Sequence, residues 1–214
     1  MSVSAIILAA GTGERFGKEK QLVEFKNKPL WRHVYDKCIE AEVFDHIVIV
    51  GIEHTGKQEQ PPENVNVVCM PKGGKTRQES VFYGLHRTPS QRVVILEAAR
   101  PLVTVEQIKT IATHTGHSVS FVAPAVETII YQGEHLDRNS CEILQVPQAF
   151  TTMLLVEAHM MTCETNATDD TVLMRKMLKI RPDLIPGGHN LFKITYPHDI
   201  KILEHIDESL NNRG

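Results

Sequence analysis

The run Ala5-Ile6-Ile7-Leu8-Ala9, which breaks off into Ala10-Gly11-Thr12-Gly13, constrains this chain more than any other stretch. A continuous apolar segment of that length reads as a strand buried on both faces, and small residues directly after it make a tight loop. Similar runs recur at His46 to Gly51, Val65 to Met70, Arg92 to Leu96 and Ser118 to Ala123, with helical patterns between most of them. Pro29 to Ala41 carries apolar residues at helical spacing, with Pro29 in the first turn, where a missing N–H costs least. Thr76-Arg77-Gln78-Glu79 and Thr104-Val105-Glu106-Gln107 have capping-box spacing and predict helix starts. Strands alternating with helices predict an α/β domain with a doubly wound, mostly parallel sheet, in which ligands sit at the carboxyl ends of the strands.

The 214 residues fit one domain, 1–214, better than two. Residues 56–64 read as a polar surface loop. From Ala125 to Gln148 the rhythm breaks: a strand-like Thr128 to Gln132, a Gly133-Glu134 turn and a second extended piece predict a protruding β-arm inserted over about 125–148. A formal charge of -3 lacks the electrostatic footprint of a nucleic-acid or anionic-membrane binder, so any basic site is local. Cys38, Cys69, Cys141 and Cys163 are far apart with no CxxC pair, which fits reduced thiols. The start has no basic n-region and its apolar run stops too early for a signal peptide or membrane span, so a cytoplasmic protein is expected.

Three segments are suited to phosphate chemistry. In the first loop, Ala9-Ala10-Gly11-Thr12-Gly13 lets backbone approach a phosphate chain, while Arg15 and Lys20 can neutralise charge on a departing pyrophosphate. The loop departs from the dinucleotide pattern GxGxxG, because Phe16 stands three after Gly13, and it lacks a P-loop's GKS/T ending. Gly73-Gly74-Lys75-Thr76-Arg77 places two cations in or beside a helix's first turn, where the macrodipole opposes them unless an anionic or polar ligand docks there. Val93 to Leu96 delivers Glu97 at a strand end beside Ala98, Ala99 and Arg100; a carboxylate there can hold Mg²⁺, although the segment alone fits a plain strand-terminal Glu–Arg pair better. No HxxxH or HExxH pair occurs among the eleven histidines. Met153, Met160, Met161, Met174 and Met177 read as core filler, and Asp169 and Asp170 as helix caps.

In chain order, Ala9 to Gln21, Gly73 to Val81, Glu97 to Pro101, Glu127-Thr128, Arg138-Asn139 with Val146 to Phe150, Thr168-Asp169 and Lys193 to Ile200 form a set. They resemble the AAGxGxRxxxxxxKQ, GGxxRxxSV, DAARP, DT, RN with TPQxF, TD and KVTxPxDL series of the methylerythritol phosphate cytidylyltransferases and the related ribitol 5-phosphate cytidylyltransferases. The resemblance implies a Rossmann-like, three-layer nucleotidyltransferase domain, dimeric through its arms. It implies transfer of CMP from CTP to a polyol phosphate with release of pyrophosphate, assisted by Mg²⁺. Arg15, Lys20 and Lys193 would be catalytic, and Ala9, Ala10, Gly11, Gly13 and Ala98 would line the nucleotide. Gly74, Lys75 and Ser80 would read the cytosine. Thr128 and Arg138 would hold the polyol phosphate, Arg138 reaching to the partner subunit, with Glu97, Arg100 and Asp169 also on the acceptor side. Glu97 and Glu127 stand where the family usually has Asp, Glu19 replaces a proline before the lysine, and the arm is short. Those departures leave room for a diverged nucleotide-binding regulator without turnover. A short-chain dinucleotide oxidoreductase is disfavoured by the absent third glycine and by the lack, apart from Glu53, of an acidic residue after the second strand.

Overall fold

In the computed structural model, which describes residues 1–54, 61–162 and 167–211, the first apolar run becomes β1 (Val3–Leu8). A loop and the short hairpin of β2 (Glu24–Phe25) and β3 (Lys28–Pro29) lead into α1 (Leu30–Glu40). The chain continues through β4 (His46–Val50), β5 (Asn66–Met70), α2 (Arg77–Leu85), β6 (Arg92–Glu97), α3 (Val105–Thr113) and β7 (Ser118–Pro124). A small hairpin, β8 (Ile129–Tyr131) and β9 (Glu134–Leu136), precedes β10 (Glu142–Thr151). The remainder is α4 (Thr152–Met161), α5 (Asp170–Leu178), β11 (Asp183–Pro186) and α6 (Asp199–Asn211).

Seven strands form one sheet in the order β11-β7-β10-β6-β1-β4-β5. All pairings are parallel except those of β10, which runs antiparallel to both β6 and β7. The two-residue period sorts side chains to opposite faces. Val3, Ala5 and Ile7 of β1, Ile47 and Ile49 of β4, and Val94 and Leu96 of β6 pack with Trp31, Val34 and Cys38 of α1 and Ile108 and Ile111 of α3. Ile6, Val48, Val50, Val93 and Ile95 face the other way, onto Val81 and Leu85 of α2, Leu155 of α4, and Leu173 and Met174 of α5. Each fully buried aliphatic of this kind contributes about 1.5–3 kcal/mol, so burial along the central strands is a major source of the fold's stability. A third, smaller cluster of Phe16, Phe25, Leu30, Ile194 and Leu203 ties the first loop to α6.

Local signals explain the helix starts. Thr104 forms a complete capping box with Gln107, whereas Thr76 caps Glu79 N–H and the Glu79 carboxylate turns instead to Lys75 N–H at 2.6 Å. Pro29 sits one residue earlier than its sequence pattern suggests, at the extended N-cap of α1.

Two expectations are corrected. The second extended piece of the predicted arm is not arm along its whole length, because Glu142 to Thr151 is a sheet strand between β6 and β7, and the projection narrows to roughly 126–141. Its polar residues disguised it: Gln145 and Gln148 are buried within the sheet. Of the five methionines read as core, Met174 is fully buried and Met177 packs at the core edge, but Met153, Met160 and Met161 are exposed, because α4 is apolar on more sides than it can bury. Cys38, Cys69 and Cys141 are free thiols; Cys163 and residues 56–60 of the predicted surface loop lie outside the described residues. Among the described residues no helix is long and apolar enough to cross a membrane.

Candidate active site

Leu8 and Glu97 are register partners at the carboxyl ends of β1 and β6. The chain leaves β1 towards β4 on one side and returns with β6 on the other, so a crevice opens where the strand order reverses. The crevice is a cleft of about 250 Å³. Its walls are Leu8 to Thr12 after β1, Gly74 to Arg77 with Ser80 before and inside α2, Glu97 to Ala99 after β6, and Lys20, Gln21 and Lys193.

The two loops touch. A side chain on Gly73 would overlap the Ala10 Cβ and the Ser80 hydroxyl, so only glycine allows this approach. Ser80 Oγ accepts from Gly74 N–H at 3.0 Å and donates to the Thr76 carbonyl at 3.0 Å, which braces the turn from the helix behind it. On the opposite side Lys20 Nζ donates to the Ile194 carbonyl at 3.0 Å, and Ile194 N–H donates to the Ala99 carbonyl at 2.9 Å. The segment carrying Lys193 is thereby sewn to the end of β6.

Glu97 is the electrostatic centre. Its Oε2 lies 2.8 Å from Lys193 Nζ and 3.4 Å from Arg100 Nε, and its Oε1 lies 3.3 Å from Arg77 Nε. Burial pushes its carboxyl up, but Lys193, Arg77 and Arg100 outweigh burial and hold it well below the usual carboxylate range. Behind the cleft wall, Arg77 Nη1 donates to Asp170 Oδ2 at 2.6 Å, and His159 Nε2 lies 3.2 Å from Asp170 Oδ1. Asp170 is also held below its ordinary value, since Arg77 and His159 overcome its desolvation. Lys20 is shifted downward by burial and then by neighbouring Lys193.

The cleft wall carries four cations, Lys20, Lys75, Arg77 and Lys193, against the single carboxylate Glu97. Such a wall suits a polyanion, because it collects positive charge where water is partly excluded.

The structure brings Ala9, Ala10, Gly11, Gly74, Lys75, Ser80, Glu97, Ala98, Lys20 and Lys193 to one cleft. Arg15 and Gly13 lie beside it: Gly13 sits at φ +70° in the loop turn, and Arg15 is exposed with its guanidinium 6.0 Å from the Tyr196 ring centroid. Arg100 is off the wall, committed to Glu97 and to the Leu191 carbonyl. Asp169 caps α5, accepting from Thr171 N–H at 2.8 Å and from Gln148 Nε2 at 2.8 Å. Arg138, in the arm, donates to the Val126 carbonyl at 3.0 Å, and neither it nor Thr128 lines this chain's cleft. As a metal ligand Glu97 does not fit as placed, because both oxygens are taken by cations; among the described residues no group of three His, Cys, Asp or Glu could hold a metal.

Sequence reasoning missed that Arg77 is answered by protein carboxylates: it read Asp170 only as a helix cap and did not single out His159. Asp170 is 93 residues away from Arg77, and no local spacing signals such a pair. The cation in the first turn of α2 was the only visible trace.

The family model described as IspD, 2-C-methyl-D-erythritol 4-phosphate cytidylyltransferase, matches residues 3–209. The 2-C-methyl-D-erythritol 4-phosphate cytidylyltransferase of Aquifex aeolicus is 32% identical over 211 residues, covering 95% of this chain and 96% of that one. The crystal structure of the enzyme of that name from Thermus thermophilus superposes with a TM-score of 0.74 at 26% identity, covering 97% of this chain and 100% of that one. The bifunctional IspDF from Campylobacter jejuni matches with a TM-score of 0.81 at 26% identity, covering 95% of this chain and 55% of that one.

Proposed function

The chain belongs to the 2-C-methyl-D-erythritol 4-phosphate cytidylyltransferase family and is a nucleotidyltransferase, and from that premise we propose that it joins the cytidylyl group of CTP to 2-C-methyl-D-erythritol 4-phosphate, releasing pyrophosphate in the cytoplasm. The observation that carries the reading is the position of Lys20 and Lys193 on the wall of a cleft at the sheet's switch point, beside the glycine turn of Gly73 to Thr76.

An oxygen of the acceptor's phosphate, anionic at neutral pH, forms the new bond to the α-phosphorus of CTP. The bond from that phosphorus to the bridging oxygen breaks, and its electron pair leaves with pyrophosphate. No general base is needed, so catalysis reduces to alignment of two polyanions and cationic stabilisation of the charge that develops. Lys20 and Lys193 supply that charge from the cleft wall, and Arg15 from the loop edge. Gly74, Lys75 and Ser80, which line the same cleft, are proposed to read the base, and Ala9, Ala10, Gly11 and Ala98 to take the ribose and phosphates. Mg²⁺ is proposed to enter with the triphosphate, whose charge it would partly neutralise.

The acceptor's polyol phosphate is assigned to Thr128 and Arg138 of the arm, with Asp169 at the mouth of α5. The exposed apolar side chains Val126, Ile130, Tyr131 and Leu136 on or beside the arm support a homodimer in which each arm serves the partner's cleft. The test is pyrophosphate release from CTP and Mg²⁺ with 2-C-methyl-D-erythritol 4-phosphate, D-ribitol 5-phosphate and other alditol phosphates in parallel. Release with the first alone supports the reading; release with ribitol phosphate alone replaces the acceptor; CTP binding without release from any of them removes the reaction.

A further inference from the structure

Lys193 is held to the protein by one carboxylate oxygen, 2.8 Å away on Glu97, while its side chain stays 37% exposed. A lysine held in that way is placed only as well as the carboxylate that holds it. Glu97 ends β6, so its backbone is fixed by the sheet, but its side chain is long and needs its own support. Arg77 provides it, with Nε 3.3 Å from the oxygen Oε1 that does not face Lys193.

Arg77 is itself strongly fixed. It stands in the first turn of α2, where the helix dipole opposes a cation, and nothing local to α2 explains it. Asp170, at the start of α5, takes Nη1 at 2.6 Å with a side chain 2% exposed. The other oxygen of Asp170 meets His159 of α4 at 3.2 Å, and the His159 ring stacks on Phe82 of α2 at a centroid distance of 5.5 Å. Gln78, the next residue of α2, accepts from the Ala167 N–H at 2.8 Å, so the same turn of α2 is clipped twice to the segment that leads into α5. Three helices thus meet at one cluster, Arg77 of α2, Asp170 of α5 and His159 of α4, with Asp170 between the other two. Buried ion pairs of this kind contribute little net stability over well-packed apolar residues; their best-attested use is to fix one arrangement among several.

We propose that Arg77 is a positioning residue for the transfer step: fixed from behind by Asp170 and His159, it orients Glu97 so that the carboxylate presents the Lys193 ammonium to the cleft. This rests on the assignment of Lys193 to cytidylyl transfer. Arg77 Nη2 is buried without a hydrogen-bond partner among the described residues, so a direct contact from Arg77 to the nucleotide is the competing role. The two roles separate at Asp170, which does not line the cleft.

The experiment uses the full-length chain with Asp170→Asn, Lys193→Ala and both together. Asp170→Asn is expected to lower kcat by about 10²-fold, the loss typical of a reacting group displaced by remote change, with KM for CTP little altered. In the Lys193→Ala background the same substitution is expected to cost almost nothing further, because the residue it positions is gone. Equal losses in both backgrounds overturn the proposal, as does a loss confined to KM for CTP, which assigns Arg77 to direct nucleotide contact.

A second measurement does not depend on turnover. Reductive methylation of the ligand-free protein, read by peptide mass spectrometry, is expected to modify Lys193 several-fold faster in Asp170→Asn than in the unsubstituted chain, with exposed Lys18 as reference. An unchanged Lys193 rate overturns the linkage. Should Asp170→Asn not fold, as judged by its urea transition, His159→Gln carries both measurements with smaller effects in the same direction. An unsubstituted chain that transfers nothing from CTP sinks the functional reading, while the methylation rates still decide the linkage.

Discussion

Replacing Glu97 by Gln removes the negative charge on which Lys193, Arg77 and Arg100 converge while leaving the shape of the side chain almost unchanged. Glu97 is only 8% exposed, so water does little to screen those interactions. Taking one partner from a buried ion pair generally costs about 3–5 kcal/mol, because the remaining charges are left uncompensated. Three features place this site at the low end. Arg77 keeps Asp170, Arg100 keeps the Leu191 carbonyl, and Lys193 is exposed enough to turn to water. The expected cost is therefore about 3 kcal/mol. For a chain of this size each kcal/mol lowers Tm by about 2–4 °C, so the melting temperature should fall by about 6–12 °C. Urea titration followed by far-UV circular dichroism at pH 7, with calorimetry alongside, measures both quantities. The same substitution makes the cleft more positive, so CTP should bind at least as tightly while kcat drops. A variant within about 0.5 kcal/mol of the unsubstituted protein would refute the idea that Glu97 anchors these cations, since ordinary surface substitutions fall in that range.

Lys20→Ala and Arg15→Ala should each lower kcat by about 10²–10³-fold, the usual cost of deleting a donor to developing charge, with urea midpoints close to the unsubstituted value. Near-normal rates in both would remove the electrostatic mechanism. Acid should unfold the protein through Glu97 and Asp170, whose folded pKa values both lie below their unfolded ones. Their stabilisation is complete above about pH 5 and drains away as pH falls below about 4. Tm measured from pH 7 to pH 3 should therefore fall less steeply in Asp170→Asn than in the unsubstituted chain, and parallel curves would contradict this. Gly73→Ala drives a methyl group into Ala10 and Ser80, so the two loops must part; CTP affinity should fall by about tenfold, or about 1.4 kcal/mol, by isothermal titration calorimetry.

What the sequence disclosed, and what it hid, follows from range. The central strands were legible because burial on both faces writes a continuous apolar run, as in Ile6-Ile7-Leu8 and Val93-Val94-Ile95-Leu96. The cleft residues were legible because Ala9 to Gly11, directly after a strand, and Gly74 to Ser80, across a helix start, are each short stretches that local spacing marks. Strand β10 was partly hidden, since Gln145 and Gln148 look solvent-facing until Ser120, Gly188 and Asp169 are seen to take their amides. The Arg77, Asp170 and His159 network was invisible because it joins three helices through contacts between residues far apart in sequence. The exposed methionines of α4 were misjudged for a related reason: composition says that a helix is apolar, but only its neighbours decide which side is covered.

The arm leaves the sheet and returns to it at a single rung, with Pro124 of β7 opposite Glu142 of β10. Everything between those residues is a detour whose ends the ladder already holds together. Lengthening such a detour is cheap, since doubling a flexible loop costs only about 0.6 kcal/mol. The fold therefore has a socket into which extensions of different length and chemistry can be grafted without retuning the cleft. A lineage, or a protein engineer, can exchange the part proposed to meet the acceptor while inheriting the cleft intact.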